Sequence, residues 1–294
     1  MKLVTYQDGT NVRVGVVQQD FIIELTRQAP DMLSLIEKQR GVLACTREII
    51  SNFNNNTPMS TAVVPTKSVK LLAPIPRPRK NMVCLGKNYA AHAVETARAR
   101  GRPEVVPDQP VFFTKAVTAI NHPDALIPYD ATISTELDWE VELAIVIGEQ
   151  GKNIPREEAM DYVFGYTIMN DISARDLQSR HRQFYKGKSL DGSAPLGPWI
   201  VTVDEIADPH NLPIRLRVND EIMQDANTRD MVHTIPDIIA VLSQGMTLEP
   251  GDIIATGTPS GVGMAMEPPR FLQPGDVIEA EIEGIGVLRN TIAS

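Results

Sequence analysis

Glu136-Leu137-Asp138-Trp139-Glu140-Val141-Glu142-Leu143-Ala144-Ile145-Val146-Ile147-Gly148 reads as a long β-strand. Side chains on a strand alternate between faces. Trp139, Val141, Leu143, Ile145 and Ile147 therefore point one way, into a core. Glu140 and Glu142 point the other way, roughly 6.5–7 Å apart along the backbone. Ala144 and Val146 continue the acidic face as apolar positions, so the strand carries its carboxylates at one end and is buried on both faces beyond them. Two like charges in such a place repel, and desolvation adds to the cost. A divalent cation removes both penalties, and oxygen ligands favour Mg²⁺, Mn²⁺ or Ca²⁺. A solvated acidic strand end, neutralised by Lys or Arg, explains the pair as well.

A second acidic strand end follows. Phe164-Gly165-Tyr166-Thr167-Ile168-Met169-Asn170-Asp171 is apolar until its last residues. Asp171 is the candidate third ligand, or the N-cap of a helix beginning at 172. On that helix Arg175 and Gln178 share a face. They suit a ligand carboxylate, unless Arg175 pairs with Asp171 or Glu158. Upstream, His92 and Glu95 are i, i+3 neighbours on a helix predicted over 89–99. A carboxylate beside an imidazole makes a candidate general base, and equally an ordinary surface pair. The segment runs into Ala97-Arg98-Ala99-Arg100-Gly101-Arg102-Pro103, a composition that fits either a lid closing over an anion or a solvated basic loop.

Around these pieces the chain reads as strands at 82–85, 111–114, 139–147, 163–170, 199–203, 214–218, 253–256, 277–282 and 286–289. Helical patterns are few: 89–99, 155–161, 172–180 and 234–244. Strands and helices do not alternate regularly, so the expected class is α+β and β-rich rather than doubly wound. Asp8-Gly9 between two alternating runs predicts an N-terminal hairpin. A helix over 31–50 with Asp31 as N-cap follows, and then a polar, Asn-rich connector over 51–66. This places a small N-terminal α+β domain at 1–70 and a main domain at 71–294.

The formal charge is −9 and hydrophobic residues make up 43 % of the chain. No basic cluster offsets that charge, which argues against nucleic acid and anionic membranes as partners. The two cysteines, Cys45 and Cys84, suggest neither a zinc site nor a disulfide framework. The start shows no signal-peptide pattern and no apolar run is long enough to span a bilayer, so a cytoplasmic protein is expected. Gly187-Lys188-Ser189 is not a P-loop, because Arg182 stands where its first glycine belongs. Gly257-Thr258-Pro259-Ser260-Gly261-Val262-Gly263 lacks the dinucleotide-binding spacing.

Five motifs in order resemble the fumarylacetoacetate hydrolase superfamily. They are Gly86-x-Asn88-Tyr89-x-x-His92-x-x-Glu95, Glu140-Val141-Glu142-Leu143, Asn170-Asp171-x-Ser173-Ala174-Arg175-Asp176-Leu177-Gln178, Gly187-Lys188-Ser189-x-Asp191, and the run from Gly251 to Gly263. They cover about residues 71–290. The resemblance implies a distorted, mixed β-barrel-like fold, usually in a homodimer. It implies Mg²⁺ or Mn²⁺ on Glu140, Glu142 and Asp171, with His92 and Glu95 as a dyad on a lid. Lys188 matches the active-site lysine and Thr258 a ligand-contacting threonine. The eponymous hydrolase uses one more aspartate ligand, which has no clear match here, so the chain resembles the smaller three-carboxylate members.

The expected function is a divalent-metal-dependent hydrolase acting on a small anionic 2-oxo acid. It would cleave a C–C bond in an acylpyruvate or related 2,4-dioxo acid through a metal-stabilised enolate. His92 and Glu95 would activate water, and Lys188 would hold oxyanion charge. Oxaloacetate decarboxylation, or isomerisation or dehydration of a 2-oxo-3-deoxy acid, passes through the same enolate and is the alternative. The rival from another class is a non-enzymatic protein that holds a metal and an anion. The retained His92, Glu95 and Lys188 argue against it.

Overall fold

A computed structural model of the chain describes residues 1–294 apart from Asn56, Pro58 and the side chain of Arg40. The N-terminal hairpin forms as its Asp-Gly turn predicts. Strands β1 (Lys2–Asp8) and β2 (Asn11–Gln18) pair antiparallel, with Asp8 opposite Asn11, and β3 (Phe21–Glu24) follows. The Asp31 carboxylate accepts the Ser34 N–H at 2.7 Å and starts helix α1 (Met32–Glu37); α2 (Gln39–Asn54) continues after a break at Lys38. Much of the stretch read as a polar connector is structured. α2 reaches Asn54, and β4 (Val63–Pro65) adds an edge strand beside β3. Asn56 and Pro58 of that stretch lie outside the described residues.

Among the described residues the longer remaining strands fall into two sheets, with two short two-stranded ribbons beside them. β5 (Met82–Gly86), β6 (Val111–Lys115), β7 (Val141–Ile147), β8 (Val163–Asn170), β9 (Ala194–Thr202) and β12 (Ile253–Ala255) join the first four in a long sheet ordered β4-β3-β2-β1-β9-β8-β7-β12-β5-β6. The path is antiparallel except between β12 and β5. It stays open, with β4 and β6 at its ends. β10 (Pro213–Val218), β11 (Glu221–Asn227), β13 (Val277–Ile282) and β14 (Gly286–Ile292) form a second sheet, ordered β11-β10-β13-β14. The fold is therefore α+β and strand-rich, with a distorted, unclosed barrel-like layout.

The alternation in β7 settles where the cores lie. Trp139, Val141, Leu143, Ile145 and Ile147 belong to one buried cluster, together with Ile214, Leu216, Ile278 and Ala280 of the second sheet. Ala144 and Val146 belong to another, with Leu3, Val16, Ile36, Met82 and Ile200. One strand thus separates two apolar cores, and the N-terminal strands share the second of them with β7.

Four helices carry site residues or close the fold. These are α3 (Ala90–Ala99), α4 (Arg175–Arg180), α5 (Tyr185–Lys188) and α6 (Ile235–Leu242). The helix expected over 155–161 is a 3₁₀ segment, Arg156–Tyr162; with β8 beginning at Val163 no further turn fits. The helix expected from 172 begins only at Arg175, because Ser173–Ala174 pair with Leu137–Asp138 in a short antiparallel ribbon. Among the described residues no helix is long and apolar enough to cross a membrane.

Candidate active site

The register of β7 on β8 builds the acidic cluster. Val141 lies opposite Asn170, and the Asp171 N–H donates to the Glu140 carbonyl at 2.8 Å. Glu140 and Asp171 are therefore cross-strand neighbours, and Glu142 stands two residues along on the same face. Each offers a carboxylate oxygen, and these oxygens lie within 4.8 Å of one another. Their relative exposures are 4 % for Glu140, 1 % for Glu142 and 0 % for Asp171, which rules out a solvated strand end. Nor is Asp171 a helix cap. Ala174 precedes α4, and no side chain caps it.

Buried cations surround the triad unevenly. Lys188 Nζ bridges Glu140 Oε2 at 2.6 Å and Asp171 Oδ2 at 2.7 Å. Lys115, at the end of β6 and fully buried, donates to Asp171 Oδ1 at 2.7 Å and to the Ile172 carbonyl at 3.0 Å. Arg175 pairs with Asp138 at 2.8 Å and with Glu140 at 2.7 Å, not with Asp171 or Glu158. Glu142 receives only the Gly257 N–H, at 2.8 Å, and no cation among the described residues pairs with it.

The electrostatics follow from that asymmetry. Burial alone would raise the Glu140 carboxyl, but Lys188 and Arg175 outweigh it and hold it well below the usual carboxylate range. Burial, and then the charges of Asp171 and Glu140, push Glu142 well above that range. Burial pulls the Lys115 ammonium down, only partly countered by Asp171. An unpaired, desolvated carboxylate beside two others is the arrangement a hard divalent cation relieves, so the donor set fits such an ion.

The dyad sits on α3. His92 Nδ1 lies 2.9 Å from Glu95 Oε1, and Glu95 in turn accepts the Gly261 N–H at 3.1 and 2.9 Å. Gly261 has φ +104°, and a Cβ there would meet the Met223 carbonyl oxygen at 2.0 Å, so only glycine places that N–H under Glu95. Asn88 anchors the entry to α3. Its amide donates to the His233 and Thr256 carbonyls at 3.0 and 2.8 Å, and its oxygen accepts the His233 N–H at 2.8 Å.

His92, Glu140, Arg175, Gln178, Lys188 and Thr258 all line one cavity of about 40 Å³, with Arg100 and Phe113 on its walls. Glu142, Asp171 and Glu95 stand behind that lining. Thr258 Oγ1 accepts from Gln224 Nε2 at 2.8 Å, which leaves the hydroxyl hydrogen to point elsewhere. The sequence placed Arg100 in a basic segment that fits a lid over an anion or a solvated loop, and gave no role to Lys115, Asp138, Phe113 or Gln224. Only Lys115 carried a signal, as a lone cation ending the apolar strand Val111-Phe112-Phe113-Thr114-Lys115.

The fumarylacetoacetate (FAA) hydrolase C-terminal family profile matches residues 81–293. The chain belongs to this family. The oxaloacetate tautomerase YisK of Bacillus subtilis is 49 % identical over 238 residues, covering 81 % of this chain and 77 % of that protein. The mitochondrial oxaloacetate tautomerase fahd2 of Xenopus laevis is 40 % identical over 99 % of this chain and 90 % of its own. Among solved structures, a fumarylacetoacetate hydrolase from Exiguobacterium antarcticum superposes with a TM-score of 0.84 at 40 % identity, over 100 % of this chain and 99 % of that one. A maleylpyruvate hydrolase from Sphingobium sp. SYK-6, in complex with manganese(II) and pyruvate, gives 0.79 at 32 % identity and the same coverage. The fumarylacetoacetate hydrolase family relatives thus carry the names of enzymes of more than one reaction class.

Proposed function

We propose that this protein is a divalent-metal-dependent enzyme that interconverts the keto and enol forms of oxaloacetate or a closely similar 2-oxo acid. The carrying observation is the cavity, small and walled by Lys188, Arg175 and Arg100 with His92 at its edge. That basic lining favours an anionic ligand. Relatives named oxaloacetate tautomerase, at 40–49 % identity, support the same reading.

Mg²⁺ or Mn²⁺ held by Glu140, Glu142 and Asp171 would supply Lewis acidity toward the 2-oxo group and make the adjacent C–H more acidic. The residues do the rest. Glu95 fixes the His92 ring through Nδ1, leaving Nε2 for the substrate. His92 takes the proton from C3, and the C–H electron pair becomes the C2=C3 double bond. Negative charge moves to the 2-oxo oxygen, where Lys188 and Thr258 donate hydrogen bonds. Water gives that oxygen a proton, completing the enol, and His92 releases the proton from C3 to solvent. Arg175 and Gln178 orient a carboxylate.

C–C hydrolysis of an acylpyruvate is the second reading. It is favoured by the braced His92–Glu95 pair, which suits activation of a water, and by the likeness to a maleylpyruvate hydrolase. One set of assays separates them. Loss of enol absorbance from oxaloacetate without pyruvate marks a tautomerase. Pyruvate and CO₂ from oxaloacetate mark a decarboxylase. Pyruvate and a carboxylic acid from an acylpyruvate mark a hydrolase. No acceleration of enol loss over a chelator-treated control would sink the first reading. The family resemblance also supports a homodimer with 71–294 as its catalytic part, and light scattering checks the dimer.

A further inference from the structure

Arg100 is a half-buried cation that, among the described residues, forms no ion pair. It caps the C-terminal end of α3, where its guanidinium lines the cavity beside Arg175. Nη2 donates to Gln178 Oε1 at 2.6 Å, the same oxygen that Arg175 Nη1 reaches at 3.4 Å. Nε is buried without a hydrogen-bond partner. Arg98, two residues earlier, pairs with Glu104 at the surface, and Arg175 pairs with Asp138 and Glu140. Among the described residues no carboxylate forms an ion pair with Arg100. Burial, then the charges of Arg175 and Arg102, pull its guanidinium down to about 10.

Holding a desolvated guanidinium against a second one is costly. Helix α3 nevertheless delivers it there, and Gln178 ties it down. A carboxylate in the cavity removes both penalties. It also satisfies Nε, since a guanidinium edge offers paired N–H donors that match a carboxylate. The triad, Lys188 and Thr258 already account for the 2-oxo end of a substrate. Arg100 is the cation left for its other end.

We propose that Arg100 is the specificity-determining residue for the distal carboxylate, so that the site selects short 2-oxo dicarboxylic acids over monocarboxylic ones. This rests on the reading of the cavity as the site of a small 2-oxo acid.

The test is equilibrium binding of malate and 2-hydroxybutanoate to the manganese-loaded protein by calorimetry. The two ligands differ only in the distal carboxylate. The wild-type protein is expected to bind malate roughly 10- to 100-fold more tightly, the range of a buried charge-assisted hydrogen bond. Arg100→Met is expected to erase that preference, weakening malate binding by far more than 2-hydroxybutanoate binding. Arg100→Lys keeps the charge and stem and should retain an intermediate preference, which covers the case in which methionine disturbs the lid. Arg98→Met should keep the full preference. A wild-type protein without the preference, or either Arg100 variant with all of it, overturns the proposal. The readout does not depend on turnover. Preference without oxaloacetate tautomerisation would defeat the tautomerase reading and leave the assignment of Arg100 standing.

Discussion

Asp171 faces Glu140 directly across β8 and β7, its N–H on the Glu140 carbonyl at 2.8 Å and the Lys188 ammonium held between their carboxylates. That cross-strand pair fixes both halves of the site. It sets the spacing of the acidic donors, and it brings α5 down over them through Lys188.

Lys188 is positioned by the triad but faces the cavity. Lys188→Met is therefore expected to lower turnover by ~10²–10³-fold, as for loss of a single oxyanion donor. Affinity for Mn²⁺ should stay level or rise, since a competing cation has left the carboxylates. Turnover and Mn²⁺ calorimetry on the same preparation decide this. A tenfold loss of metal affinity would make Lys188 a scaffold of the triad instead.

Glu142 is the carboxylate of the triad with no cation of its own. Glu142→Gln keeps the shape and removes the unpaired charge. In chelator, its unfolding temperature should be no lower than that of the wild type. Added Mg²⁺ or Mn²⁺ should raise the wild-type midpoint through binding linkage and raise the variant's much less. Equal metal-induced shifts in the two proteins would remove Glu142 from the ligand set.

Two histidines outside the site make stability sensitive to acid. His122 Nδ1 accepts the Ala73 N–H at 3.1 Å, and His210 Nε2 accepts the Ile235 N–H at 3.0 Å. An accepting nitrogen carries no proton, and burial lowers both pKa values from the usual 6.5. The folded state then binds fewer protons than the unfolded chain, so stability rises with pH across the window between the lowered values and 6.5. The contribution is complete above 6.5 and is lost as pH falls through the folded values. Urea unfolding across that window should show the loss, and His122→Gln should flatten part of it. An unchanged slope in that variant would contradict this account.

Gly261→Ala should damage the dyad without touching it. The new Cβ would press on the Met223 carbonyl at a φ of +104°, and the loop must move. Strain of about 1–3 kcal/mol is expected, together with loss of the Gly261 N–H bond to Glu95. Chemical denaturation should register the first. A fall in turnover larger than the change in substrate affinity should register the second.

The sequence by itself determined the local geometry. Alternation about Trp139–Ile147 assigned Glu140 and Glu142 to one face and predicted a strand buried on both sides, because a strand's period depends on the backbone alone. The i, i+3 spacing likewise paired His92 with Glu95. It left open whether Asp171 capped a helix, because that turned on whether residues 173–174 would wind or pair. Only the tertiary structure decided the partners. Arg175 went to Asp138 and Glu140, Lys115 came from a strand four positions away in the sheet to neutralise Asp171, and Arg100 swung under α3 to share Gln178 with Arg175. These contacts join residues far apart in the chain. They are set by which strands lie side by side and in what register, and no local periodicity records that.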